Sequence, residues 1–140
     1  MLAVRLVIDT NVLASAALKP EDLERTIILL AITKPSRLYV TAAIMEEYAD
    51  VLARRELDIR KGIRLQLLEL IRSRCFLVAL RRRIKLTSDP DNSIFIECAD
   101  AARADYLITG SQRHFPRFWK CTKVITPREF IEVAAPHLRA

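Results

Sequence analysis

Apolar residues come in short unbroken runs that alternate with longer stretches of helical spacing. Leu6-Val7-Ile8 meets Asp9-Thr10-Asn11 before Val12-Leu13 resume the apolar character. A run without polar alternation suits a strand buried on both faces, as in a parallel sheet. A short helix follows to about Ala17. A second starts at Pro20, with Glu21 and Asp22 suiting the dipole of its first turn, and Leu23, Ile27, Leu30 and Ala31 carry it to about Thr33. Lys34-Pro35-Ser36 breaks that pattern, and Leu38 to Thr41 reads as a second strand. From Ala42 to about Arg54 the stripe Ile44, Tyr48, Val51 and Leu52 predicts a helix.

The alternation continues to the end of the chain. Leu65, Leu68 and Ile71 mark an amphipathic helix that ends near Arg72 to Arg74, and Cys75 to Leu80 has strand length. Thr87 to Ser93 is dense in turn and capping residues and opens a helix over Ile94 to Arg103. Tyr106 to Ile108 is a short buried strand, after which Gly110 is expected to let the chain turn sharply. Val124 to Thr126 is the last strand, and Pro127 begins the last helix. Strands alternating with helices predict one α/β domain over residues 1–140, with a parallel sheet covered on both faces.

Composition narrows the function. Hydrophobic residues are 51% of the chain, enough for a folded core. No apolar run reaches the roughly 18–20 residues of a membrane span, so a soluble cytoplasmic protein is expected. The net charge of +6 favours a polyanionic partner, although many basic domains are merely soluble. Arg81-Arg82-Arg83 with Lys85 could follow a phosphate backbone or form a solvated face. With only two glycines, neither a dinucleotide-binding turn nor a phosphate-cradling P-loop can be built. Cys75, Cys98 and Cys121 lack metal-site spacing and read as core thiols.

Candidate chemistry lies in acids at strand ends. Asp9 falls at the carboxyl end of the first strand, the edge where open α/β sheets bind ligands. A carboxylate there needs a partner, a hydrogen bond or a metal, and helix capping is the simplest use of it. Glu46 and Glu47 follow the second strand. Glu47 lies nearer the apolar stripe and Glu46 nearer solvent, because adjacent helical residues point about 100° apart. Asp89 or Asp91 could cap the helix that opens at Ile94 or face the Asp9 edge. A lone His114 in a basic loop reads as structural.

Taken with their flanks, these acids resemble a known family. The motifs are Val7-Ile8-Asp9-Thr10-Asn11-Val12-Leu13, then Thr41 through Glu47-Tyr48 to Val51-Leu52. The third is Asp89-Pro90-Asp91-Asn92 with Glu97-Cys98-Ala99, running on to Thr109-Gly110. The chain looks like a PIN domain of the prokaryotic group that forms the toxin component of type II toxin–antitoxin pairs (VapC-like ribonucleases). The resemblance implies a three-layer α/β/α sandwich with a mainly parallel central sheet. It also implies a metal-dependent endoribonuclease in which Asp9, Glu47 and Asp91 hold Mg²⁺ or Mn²⁺ and carry catalysis. Asn11 and Thr109 would orient acids or waters around the ion. An RNA substrate, a cognate antitoxin that covers the cleft and a homodimer follow from the same resemblance.

The chain departs from the family's pattern twice. Asn92 and Ser111 stand at positions often acidic in that group. Their oxygens are neutral, which lowers the expected metal affinity. The alternative reading is therefore a degenerate PIN domain that binds RNA or a protein partner without cutting.

Overall fold

The computed structural model describes residues 3–19, 23–80, 82–84 and 92–134. Strand β1 (Arg5–Ile8) passes through Asp9 into helix α1 (Thr10–Leu18), followed by α2 (Leu23–Ala31), β2 (Arg37–Val40), α3 (Ala42–Leu52) and α4 (Lys61–Arg74). The second half holds β3 (Phe76–Leu77), α5 (Ser93–Ala102), β4 (Tyr106–Ile108), β5 (Phe118–Trp119), β6 (Thr122–Ile125) and α6 (Pro127–Ala134). Among the described residues, 3₁₀ turns also cover Arg55–Leu57 and Gln112–His114.

The strands form one six-stranded sheet in the order β3-β2-β1-β4-β6-β5, parallel except for the β5–β6 pair. Leu6, Val7 and Ile8 are fully buried, as a strand covered on both faces requires. From β1 the chain steps one way to β2 and β3, then returns past both to β4 on the other side of β1. Right-handed crossovers put outward and return connections on opposite faces. The return helix α5 packs against β1, β2 and β4, whereas α1 packs on α2 and α3, and α2 on α6. The result is the α/β/α arrangement expected from the alternation. Its reversal of strand order lies between β1 and β4, where such sheets open a crevice at their carboxyl ends.

Local chemistry fixes the helices around that crevice. The Thr41 hydroxyl accepts from Ile44 N at 3.2 Å and so caps α3. At α6, Thr126 and Glu129 form a reciprocal capping box, Glu129 N to Thr126 Oγ1 at 3.1 Å and Thr126 N to Glu129 Oε1 at 3.0 Å. Pro127 fits the first helical position, where no N–H is needed. These bonds, with a neighbouring one from Gln112, hold the Glu129 carboxyl below its ordinary range, the backbone N–H of Thr126 being the largest cause.

Several sequence expectations change. The apolar run from Cys75 pairs only through Phe76–Leu77 and one further bond, Val78 N to Val40 O, and Leu77 is largely exposed at the sheet edge. The last strand, expected from Val124, is β6, but β5 and its antiparallel pairing with β6 have no counterpart in the sequence pattern. Gly110 does not have a positive φ, and a Cβ there would meet Asn11 at an ordinary 3.7 Å, so the turn does not demand glycine. Cys98 is buried, its thiol pushed up to about 12 by desolvation, but Cys121 is exposed rather than a core thiol. Arg82 and Arg83 do not form a free basic patch: they pair with Asp100 and Glu97 on α5. The helix start at Pro20 and the turn from Thr87 to Asp91 lie outside the described residues.

Candidate functional site

Asp9 leaves the sheet one residue beyond β1, its own N–H still bonded to Ile108 O at 2.9 Å. Its backbone is extended and precedes α1 as an N-cap would, yet its side chain makes no capping bond. Instead Asp9 Oδ2 accepts from Thr109 Oγ1 at 2.7 Å, 100 residues away and at the end of β4. The carboxylate is buried. The same hydroxyl oxygen of Thr109 accepts from Ser111 N at 3.0 Å. Asn11 closes the loop from the other side: Gly110 N donates to its Oδ1 at 3.2 Å, and its Nδ2 donates to Ser111 Oγ at 3.1 Å. The ends of β1 and β4 are thus laced together by Asp9, Asn11, Thr109 and Ser111.

Glu47 arrives from α3. Tyr48 positions it: this fully buried residue donates its hydroxyl to the carbonyl of Ile8, at the end of β1. Burial, then the charges of Cys98, Asp9 and Cys75, raise the Tyr48 phenol well above its ordinary value, so it stays a donor. One residue earlier on the helix, Glu47 Oε2 accepts from Thr10 Oγ1 at 3.4 Å, next to Asp9 in sequence. Glu46 is exposed, on the side expected for it.

Asp9 and Glu47 open onto one cleft of about 290 Å³, together with Asn11, Asn92 and Ser111. Asn92 enters from the start of α5, where its side chain makes no capping bond. Thr109 supports the cleft from below, through Asp9. Asp91, the third acid named from the sequence, and Asp89 lie outside the described residues. Among the described residues no three His, Cys, Asp or Glu side chains form a group able to hold a metal. Two carboxylates with amide and hydroxyl oxygens remain. That all-oxygen set suits Mg²⁺, which is commonly held by one or two carboxylates with waters and substrate phosphate.

Sequence reasoning missed two residues that line this cleft, Arg54 and His114. Arg54 carries only a partial signal: Glu47 and Val51 share a helical face at i, i+4 and line the cleft, and Arg54 follows two residues past the end of α3 in extended backbone. His114 carries none, because the 3₁₀ turn that swings it inward has no sequence pattern of its own. The hydroxyls of Tyr48 and Thr10 were also missed as positioning groups.

Comparison with known proteins gives a family and a fold. A sequence model of the PIN domain matches residues 5–113, from β1 through the 3₁₀ turn at the cleft. No curated protein matches the chain in sequence. Among solved structures, VapBC2 from Rickettsia felis, bound to a DNA fragment from its promoter, has a chain with the same fold. The TM-score is 0.61 at 14% identity, over 87% of this chain and 98% of that one.

Proposed function

The chain belongs to the PIN domain family, and from that membership we propose that it is a Mg²⁺- or Mn²⁺-dependent endoribonuclease, the toxin of a toxin–antitoxin pair. The observation that carries the reading is convergence: Asp9 from the end of β1 and Glu47 from α3 line one cleft at the carboxyl edge of the sheet. Asp9 and Glu47 would hold the ion, with Asp91 as a third acid and Asn92 and Ser111 offering neutral oxygens. A bound divalent ion supplies Lewis acidity, lowering the pKa of water and offsetting charge on the scissile phosphate.

The chain's own residues set up that chemistry. Thr109 fixes the Asp9 carboxylate, Thr10 steadies Glu47, and Tyr48 holds α3 against β1. Asn11 ties the Gly110-Ser111 loop to the start of α1. Arg54 and His114 line the same cleft and offer donors to an RNA phosphate, a contact that positions the strand without reading its sequence. The proposal extends to an antitoxin partner, by analogy with the VapBC2 complex that shares the fold, and to a homodimer, which the family resemblance implies.

Asp9→Asn tests this. It keeps the shape and can keep the Thr109 bond while removing the charge. Cleavage of a single-stranded RNA in Mn²⁺ should fall by about two orders of magnitude or more, with the melting temperature nearly unchanged. Undiminished cleavage by a clean preparation rules the mechanism out. One observation favours the second reading, a PIN domain that binds RNA or a protein without cutting. The cleft has Asn92 and Ser111 where two more charges would strengthen ion binding. Calorimetry with millimolar Mn²⁺ separates the readings, since a binding module gives no heat.

A further inference from the structure

A second pocket lies next to the cleft at the Gln112–His114 turn. The 3₁₀ turn Gln112–His114 is a shared wall: His114 lines the carboxylate cleft, while Gln112 and Arg113 line a second pocket of about 390 Å³ behind it. Residues on a 3₁₀ turn project about 120° apart, so neighbours on one turn can serve opposite sides. The second pocket also has Arg117, Lys123 and the ring of Phe115. Residues 113–123 contain Arg113, Arg117, Lys120 and Lys123 and no acid. Lys120 is taken by Asp100 at 2.9 Å. Arg113, Arg117 and Lys123 make no ion pair among the described residues, and all three are exposed.

The pocket's one acid does not spoil it for an anion. Glu129 points Oε1 at Gln112 Nε2 and Thr126 N, at 2.9 and 3.0 Å, and is balanced by Lys123. Three cations against one engaged carboxylate leave a positive pocket large enough for a nucleotide. Beside it on β5, Phe118 pairs in register with Lys123, so the two side chains share one face of the hairpin, and the Phe118 ring is 56% exposed. An exposed ring beside a cation is how a strand of bases is held without sequence readout.

We propose that this pocket is a second phosphate subsite for single-stranded RNA, holding the strand where it leaves the carboxylate cleft past the Gln112–His114 turn. The inference rests on the RNA reading above and adds where the substrate continues. The test is fluorescence anisotropy of a labelled short oligouridylate over a salt series. Wild type is compared with an Arg117→Ala/Lys123→Ala double variant and a Lys34→Ala/Arg37→Ala control, which removes equal charge at and before the start of β2, in the other half of the sheet. The pocket variant should bind about tenfold or more weakly, and its dependence of log Kd on log salt should flatten by about 0.7 for each phosphate it no longer neutralises. The control should stay close to wild type. Equal weakening in both variants, or none in the pocket variant while wild type binds, overturns the subsite and leaves the nuclease reading standing. No oligouridylate binding by wild type overturns the RNA reading together with the subsite.

Discussion

Two regions of the molecule bring a pair of carboxylates together, and they do so differently. On α5, Glu97 and Asp100 lie one helical turn apart. Buried Glu97 accepts from Ile84 N at 2.8 Å and from Arg83 Nε at 3.0 Å. Asp100 meets Lys120 at 2.9 Å, the Trp119 indole N–H at 3.2 Å and Arg82 at 3.4 Å. In the cleft, Thr109 and Thr10 donate hydroxyls to Asp9 and Glu47. A guanidinium or ammonium cancels a carboxylate's charge as it fixes it, whereas a hydroxyl fixes it and leaves the charge. The α5 pair is built to tie the 82–84 segment and the β5–β6 hairpin to the core. The cleft pair is held by hydroxyls at the edge where a ligand enters.

That contrast can be broken most forcefully at the cleft. Asn92→Asp combined with Ser111→Asp should raise Mn²⁺ affinity by about tenfold or more in calorimetry, because ligand charge sets affinity at an oxygen site. Unchanged affinity would mean that the cleft is no more a cation site than the α5 face. The α5 pair should answer in stability instead. Glu97→Ala strands the N–H of Ile84 in the interior and should cost about 2–4 kcal/mol in urea unfolding, with Mn²⁺ affinity retained. Asp100→Asn gives the smallest effect, a melting temperature lower by a few degrees near neutral pH. Its signature is pH dependence. The Lys120 bond, opposed by partial burial and helped by Trp119 and Arg82, lowers the Asp100 carboxyl from 3.8 to about 2. A folded pKa below the unfolded one stabilises above the unfolded value and fades as the folded value is approached. The gap between wild type and Asp100→Asn should therefore be full at neutral pH and close as pH falls from about 4 towards 2.

Much of the architecture could be read from the chain. Leu6-Val7-Ile8 has no polar alternation, and only a strand covered on both faces uses such a run well. Helical register set Glu47 apart from Glu46, and the structure has Glu47 lining the cleft and Glu46 exposed. What could not be read depended on partners remote in sequence. Arg82 and Arg83 look like any basic run until α5 presents Asp100 and Glu97 to them. Phe118–Trp119 is too short to carry a period, and it is a strand only because β6 lies beside it. Asp9 looks like a capping residue because Asp, Thr and Asn are all good caps. Only the hydroxyl of Thr109 reveals what it does instead.

The bond between Thr109 and Asp9 spans 100 residues, and the Asn11 bonds to Gly110 and Ser111 span 99 and 100. A nascent chain that has not yet emerged past β4 from the ribosome has both acids but not the hydroxyl that aims the first of them. Closing so long a loop is slow and comes after local structure has formed. The centre therefore exists only once β4 has paired with β1, and a chain that stops short of Thr109 cannot carry it.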